Sequence, residues 1–224
     1  HRVVIGLPDA EPGLRSIVHV ETCDWDRLAR LMELFRGDTA VIDAQPETTK
    51  ARELAAQFPG RVWLAWYPNM PIKDREIYTR DSAKRTVNID RTASLDLSAA
   101  RLRGQQDFFC AMPAKLREKF IAEMCAPQRT VEVDDHGQPQ AKWVETGPDH
   151  FRHAHNYMTI AAMILDRRNP GFRLVSINLS GKPEYEVTGI QATTGRTITR
   201  RVRPGYIPVP EGVVGGPETW KELD

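Results

Sequence analysis

Cysteine is scarce in this chain of 224 residues: Cys23, Cys110 and Cys125 are widely spaced and form no C-x-x-C pair. Their number and spacing argue against a disulfide framework or a cysteine-based zinc site. A reducing cytoplasm is the expected compartment, with the thiols as small buried side chains. Long apolar runs are lacking as well. The longest uncharged, apolar-rich stretch, Tyr157 to Leu165, is half of what a membrane helix needs, so none is expected. No charge of one sign dominates: 31 Lys and Arg face 30 Asp and Glu, a net +1, which by itself points to no polyanionic partner. There is no internal repeat and no initiating methionine, and no secretory leader is expected. The opening His1-Arg2-Val3-Val4-Ile5 reads as a strand inside something longer. What is present, 41% apolar and 27% charged residues, is the profile of a globular chain and excludes a collagen-like or wholly disordered one.

Local patterning orders the first half. Arg2 to Leu7 and Arg15 to Glu21 are β-branched runs joined by a Pro- and Gly-containing connection, the signature of a hairpin. Asp24 then caps a helix to about Phe35, with Leu28, Leu31, Met32 and Phe35 on one face. Thr39 to Ile42 predicts a buried strand ending at Asp43. A helix from Pro46 to about Phe58 and an aromatic strand from Arg61 to Tyr67 follow. Strand, helix, strand with short connections predicts a crossover and a parallel pair, so that one mixed sheet continues from the hairpin into parallel strands.

Further along, Pro68 to Thr79 is expected to be irregular, Thr86 to Asp90 a short strand, and Ala93 to Leu102 and Ala114 to Met124 helices. Arg129 to Val133 and Lys142 to Glu145 suggest an exposed hairpin. A long helix begins after Gly147-Pro148-Asp149, with Phe151, Ala154, Met158, Ala161, Ala162 and Leu165 as its buried stripe. From Arg167 to Arg203 the chain is strand-like and basic, and from there to Asp224 it is rich in Pro and Gly. The expected organisation is a domain over residues 1–166, then a basic strand-rich extension and tail over 167–224.

Two carboxylates stand out. Asp43 closes a central strand, where open α/β sheets place their active sites. Asp149 opens the long helix and shares one face of it with His153 and Asn156, although an N-cap on a solvated face is the plain alternative. Joined by a third carboxylate, the two would hold a pair of hard divalent cations for in-line attack on a phosphodiester. A zinc reading of His150, His153 and His155 finds no Cys or Glu-x-x-His partner.

Several segments together resemble the nuclease domain of tailed-phage large terminase subunits. They are Val41-Ile42-Asp43-Ala44-Gln45-Pro46-Glu47-Thr48, Lys50 to Ala55, Phe58 to Val62, Val87 to Thr92 with Leu95-Asp96, and Asp149 to Ala154 with Tyr157. The resemblance spans roughly residues 1–166. It implies an α/β, ribonuclease-H-like mixed sheet, an antiparallel hairpin plus parallel strands, flanked by helices. The implied activity is cutting of double-stranded concatemeric DNA with two Mg²⁺ or Mn²⁺ ions. Family metal ligands fall on Asp43 and Asp149, and Glu47 and His153 would be auxiliary. The family's first strand, with its own Asp, has no counterpart here, because Arg2 to Leu7 matches the second; it is expected upstream of His1. No G-x-x-x-x-G-K-[ST] loop occurs, so the family's ATPase motor would lie elsewhere in the parent chain. Portal protein, small terminase subunit and the cytoplasm of an infected bacterium are the implied partners and place.

The even net charge hides a split. Residues 167–203 carry eight Lys or Arg against two Glu, a balance of +6, whereas 204–224 sum to −3. Arg196, Arg200 and Arg201 there, with Arg91 beside the Asp90 strand, are candidate contacts to a DNA backbone. A charged, solvated edge strand is the plain alternative. Lys73, Arg75, Arg80, Lys84 and Arg85 form a second basic patch, while Trp63, Trp66 and Tyr67 read as core. Two other functions stay open: a junction-resolvase or integrase type of ribonuclease-H-like nuclease, and a non-catalytic DNA- or portal-binding module with an incomplete metal site.

Overall fold

In this computed structural model the described residues are 1–8, 13–68, 72, 76–133 and 137–168, with the backbone of three further strands at 172–178, 185–191 and 196–202. Among the described residues the fold is mixed α/β, with five helices and both parallel and antiparallel pairing. The hairpin forms from β1 (Arg2–Pro8) and β2 (Arg15–Thr22), antiparallel and with a register shift between Ile5 and Gly6. The short strand β7 (Asp107–Phe109), which the sequence did not suggest, runs parallel to β2 and completes a sheet of order β1-β2-β7. A second sheet has the order β3-β4-β6-β5, built from β3 (Ala40–Asp43), β4 (Val62–Trp66), β5 (Tyr78–Asp81) and β6 (Thr86–Ile89).

β3, β4 and β6 are parallel, as the strand-helix-strand pattern required, and β5 returns antiparallel along β6. Two expectations are corrected here. Tyr78 and Thr79 belong to a strand rather than to an irregular stretch, because Tyr78 is buried and pairs with Ile89. The hairpin and the parallel strands also form two separate sheets rather than one, since no described strand joins β1 to β3.

Helices α1 (Trp25–Leu34) and α2 (Thr48–Gln57) cover one face of the second sheet through Met32, Ala51, Leu54 and Phe58. Asp24 caps α1 as expected, accepting the Arg27 N–H at 2.8 Å. α3 (Arg91–Arg103) and α4 (Ala114–Cys125) precede the exposed hairpin β8 (Pro127–Val133) and β9 (Pro139–Glu145). The remaining described strands, β10 (Phe172–Asn178), β11 (Tyr185–Gln191) and β12 (Arg196–Val202), form an antiparallel sheet of their own.

Helix α5 (His150–Arg168) holds the domain together. Its Tyr157, Ile160, Ala161 and Ile164 pack under Val41, Trp63, Ala65 and Val87 of the second sheet. Its Phe151 and Met158 pack against Val4, Ile17 and Val20 of the first, with Phe120 of α4. Each fully buried side chain of this kind contributes about 1.5–3 kcal/mol. Gly6 lets β1 lie close on the helix: a Cβ there would sit 2.8 Å from Met158 Sδ. The polar face of α5 is not solvated. Asn156 is fully buried and Asp149 only 5% exposed. Cys23 and Cys110 are half-buried and Cys125 is exposed, so the expectation of buried thiols fails at Cys125, at the end of α4. Among the described residues, no helix is long and apolar enough to cross a membrane.

Candidate metal centre

β3 ends at Asp43, whose carboxylate projects at the C-terminal end of the parallel strands, and α5 begins just after Asp149. Both side chains line one cleft of about 810 Å³ between β1, β3 and α5. Asp43 is exposed; its Oδ1 accepts the Gln45 N–H at 2.9 Å and its Oδ2 accepts the Tyr157 hydroxyl at 3.0 Å. The Asp149 carboxylate is buried and meets His153 Nε2 at 3.1 Å.

Asp149 does not serve as a plain cap. The Phe151 N–H, in the first turn of α5, is met by Glu123 of α4, whose Oε2 accepts it at 3.1 Å while Arg2 donates to both its oxygens. That leaves Asp149 available on the cleft side of the helix N-terminus, where the helix dipole favours an anion.

A series of side-chain contacts links the two carboxylates. His153 Nδ1 lies 2.8 Å from the Tyr67 hydroxyl, and the Tyr67 and Tyr157 rings stack with centroids 6.0 Å apart. Burial lowers the His153 pKa, with Arg91 adding to it against the pull of Asp149 and Asp43, and so favours the neutral ring. The neutral tautomer that satisfies both neighbours donates from Nε2 to Asp149 and accepts from Tyr67 at Nδ1. Burial likewise pushes the Tyr67 hydroxyl up to about 12 and raises that of Tyr157. Asn156 donates from Nδ2 to Ser94 Oγ at 3.0 Å and to Tyr67 Oη at 3.3 Å, holding Tyr67 in place.

The structure brings together Asp43, Asp149 and His153, and it adds Arg91, whose guanidinium lies 5.9 Å over the Tyr67 ring. Glu47 lines the same cleft, but its carboxylate accepts the Trp25 indole N–H at 2.7 Å, so it is engaged with α1. Arg196, Arg200 and Arg201 lie in β12, opposite Gln191, Val187 and Glu186 of β11; their side chains are outside the described residues. Within the second basic patch, Arg80 covers the Trp63 ring, Arg85 donates to the Ala55 carbonyl and Lys84 pairs with Asp81. These three make structural contacts, and Lys73 and Arg75 fall outside the described residues. His150 is exposed and His155 is fully buried on Asp107, so the three histidines of α5 do not converge on one metal.

Oxygen donors from Asp43 and Asp149 suit a hard cation that keeps several waters, as Mg²⁺ does. Among the described residues, no group of three or more His, Cys, Asp or Glu side chains is arranged to hold a metal ion. The pair therefore fits part of a metal site, and a second ion would need a carboxylate from beyond the described residues.

Tyr67 and Ser94 escaped the sequence reading, as did the contact of Tyr157 with Asp43. Tyr67 follows the aromatic strand β4, and its pattern reads as core alongside Trp63. Tyr157 carried a usable signal, since Asp149, His153 and Tyr157 recur every four residues on one helical face. No family model, curated protein or solved structure matches the chain.

Proposed function

We propose that this chain is a metal-dependent endonuclease domain of the large-terminase kind, ribonuclease-H-like in fold, that hydrolyses phosphodiester bonds of double-stranded DNA. One observation carries the reading: Asp43 and Asp149, from distant parts of the chain, line one cleft and are tied through Tyr157, Tyr67 and His153. The antiparallel hairpin and the parallel strands, both packed on α5, support this reading. Asp43 and Asp149 would hold Mg²⁺ or Mn²⁺, which would polarise the phosphate and lower the pKa of a water. His153 fixes the orientation of the Asp149 carboxylate, and Tyr157 that of Asp43. Arg91, exposed at the start of α3, would face the backbone phosphates beside them, and Arg196, Arg200 and Arg201 are the other candidate contacts to the DNA backbone. Portal protein, small terminase subunit and an ATPase motor in the same polypeptide are the partners this reading brings with it, in the cytoplasm of an infected bacterium.

The test is plasmid cleavage by the intact gene product. Mg²⁺- or Mn²⁺-dependent nicking is expected from the natural protein and none from Asp43→Ala; unchanged cleavage by the variant overturns the reading. A natural protein that binds DNA without cutting it under either metal supports instead the non-catalytic module. A strong preference for four-way junctions over linear duplex points to a resolvase.

A further inference from the structure

The second sheet is unevenly covered. On β3 and β4 both faces are apolar: Val41, Trp63 and Ala65 meet α5, while Ala40, Ile42, Val62 and Leu64 pack with α1 and α2. On β5 and β6 only the α5 face is apolar, through Tyr78, Val87 and Ile89. Their other face is polar. Thr86 lies opposite Leu64 and Asn88 opposite Trp66, so both share the α2 side of the sheet, and Thr79 pairs with Asn88 beside them. Asn88 is exposed, and the cover given by α2 ends at β4.

Where this polar shelf meets α2, a hollow of about 250 Å³ opens, lined by Arg52 and Ala55 of α2, Leu64 of β4, and Ala83, Lys84 and Arg85 of the turn between β5 and β6. Three cations line it and no carboxylate does. It lies at the opposite end of the sheet from the metal cleft, since Arg85 precedes β6 whereas Asp43 closes the parallel strand β3. The fold holds Arg85 in place. Its φ of 54° is left-handed, a conformation that favours glycine, and its Nη1 donates to the Ala55 carbonyl in the last turn of α2 at 2.8 Å. Its other donors have no partner among the described residues. Arg52 has no ion pair there either, because the neighbouring Glu53 is taken by Lys50 at 3.1 Å. Lys84 meets Asp81 at 3.6 Å, but 78% and 41% of the two side chains are exposed, so the pair is loose.

We infer that this hollow binds a phosphate monoester through Arg52, Lys84 and Arg85. Three cations against the one carboxylate of Asp81 leave a local charge of +2. That matches the charge of about −1.5 to −2 that a phosphate monoester carries at pH 7, and exceeds the single charge of a backbone diester. Two guanidinium forks and an ammonium supply the donors for its terminal oxygens. The hollow is smaller than the roughly 300 Å³ of the smallest drug-sized pockets, so it takes the phosphate alone. The group that bears the phosphate rests on the shelf, where Thr86 offers a hydroxyl and Asn88 an amide. Two sources carry this dianion, a small phosphorylated molecule and the 5′-phosphate end of a nucleic-acid strand. The site stands independently of the nuclease reading, and its readouts require neither metal nor cleavage.

Amide NMR spectra of the full chain, recorded without divalent metal and at constant ionic strength, test it. Inorganic phosphate is expected to shift the Ala55, Lys84 and Arg85 resonances saturably, and chloride at the same concentration is not. Arg52→Ala combined with Lys84→Ala removes two exposed side chains and no core contact. The double variant is expected to raise the phosphate Kd at least about ten-fold with Tm unchanged. No saturable shift, an equal effect of chloride, or an unchanged Kd in the double variant overturns the proposal. A 5′-phosphorylated single-stranded oligonucleotide and its 5′-hydroxyl twin identify the source. Shifts from the phosphorylated strand but not its twin assign the end of a nucleic acid, and shifts from free phosphate but from neither strand assign a small molecule. Equal shifts from both strands mean that backbone diesters are read, which overturns the monoester.

Discussion

The Tyr157 hydroxyl donates to Asp43 Oδ2 at 3.0 Å, tying the end of a parallel strand to the middle of the helix that carries Asp149. Both carboxylates are thereby referred to one rigid element, α5. Asp43 is set through Tyr157 and Asp149 through His153, one helical turn earlier.

Removing that hydroxyl isolates its role. Tyr157→Phe keeps the ring in the core and leaves Asp43 to be solvated from its exposed side, so stability changes by no more than about 1 kcal/mol. Loss of an outer hydrogen bond to a metal-binding carboxylate weakens metal affinity about 10-fold or more. The expected result is a Mn²⁺ titration of plasmid nicking displaced to higher concentration with an unchanged melting curve. An undisplaced titration removes Tyr157 from the site.

Arg91 is exposed and its partner is an aromatic face, so Arg91→Ala leaves folding intact. A single phosphate contact contributes about one unit to the slope of log K against log salt. DNA binding by the variant, followed by fluorescence anisotropy across a salt series, is expected to weaken and to lose about that much slope. An identical slope places Arg91 off the DNA path.

Away from the cleft, Asp107 of β7 is buried between Arg101, which donates to both its oxygens, and His155, whose Nε2 lies 2.9 Å away. Burial raises the Asp107 pKa, but the hydrogen bonds from His155 and Arg101 outweigh it and bring the carboxyl down to about 2. A depressed folded-state value means the carboxylate stabilises the fold above its unfolded pKa and loses that contribution as pH falls through the folded one. Stability is therefore expected to drop by about 2 kcal/mol between about pH 4 and pH 2. Urea midpoints measured across this window check it, and Asp107→Asn should flatten that part of the profile.

Glu123 joins three elements: it accepts from Arg2 of β1 and from the Phe151 N–H of α5 while sitting on α4. Its carboxylate is held below the usual range because these hydrogen bonds outweigh burial. Glu123→Ala strands a half-buried guanidinium and a helix N-terminus together, and a loss of about 3 kcal/mol is expected by chemical denaturation. Glu123→Gln, which still accepts from Phe151, should lose less.

Much of the secondary structure was readable from the chain because its causes are local. The β1–β2 hairpin follows from a turn between two β-branched runs, and the β3-α2-β4 crossover from short connections between a strand, a helix and a strand. β7 was not readable. Three residues between two helices give no periodicity, and it forms because Arg15 to Ile17 of β2 offer an edge beside it.

What the sequence determined by itself is most of the helices and longer strands and two conspicuous carboxylates, each marked by its position at the end of a strand or the start of a helix. Tertiary structure decided the rest. It set Tyr67 against His153, withdrew Glu47 to Trp25, handed the start of α5 to Glu123, and left two sheet edges facing each other over one helix. The reason is physical. Elements follow from interactions a few residues apart, whereas a hydrogen bond from Tyr157 to Asp43 exists only once the burial of α5 has brought strand and helix together.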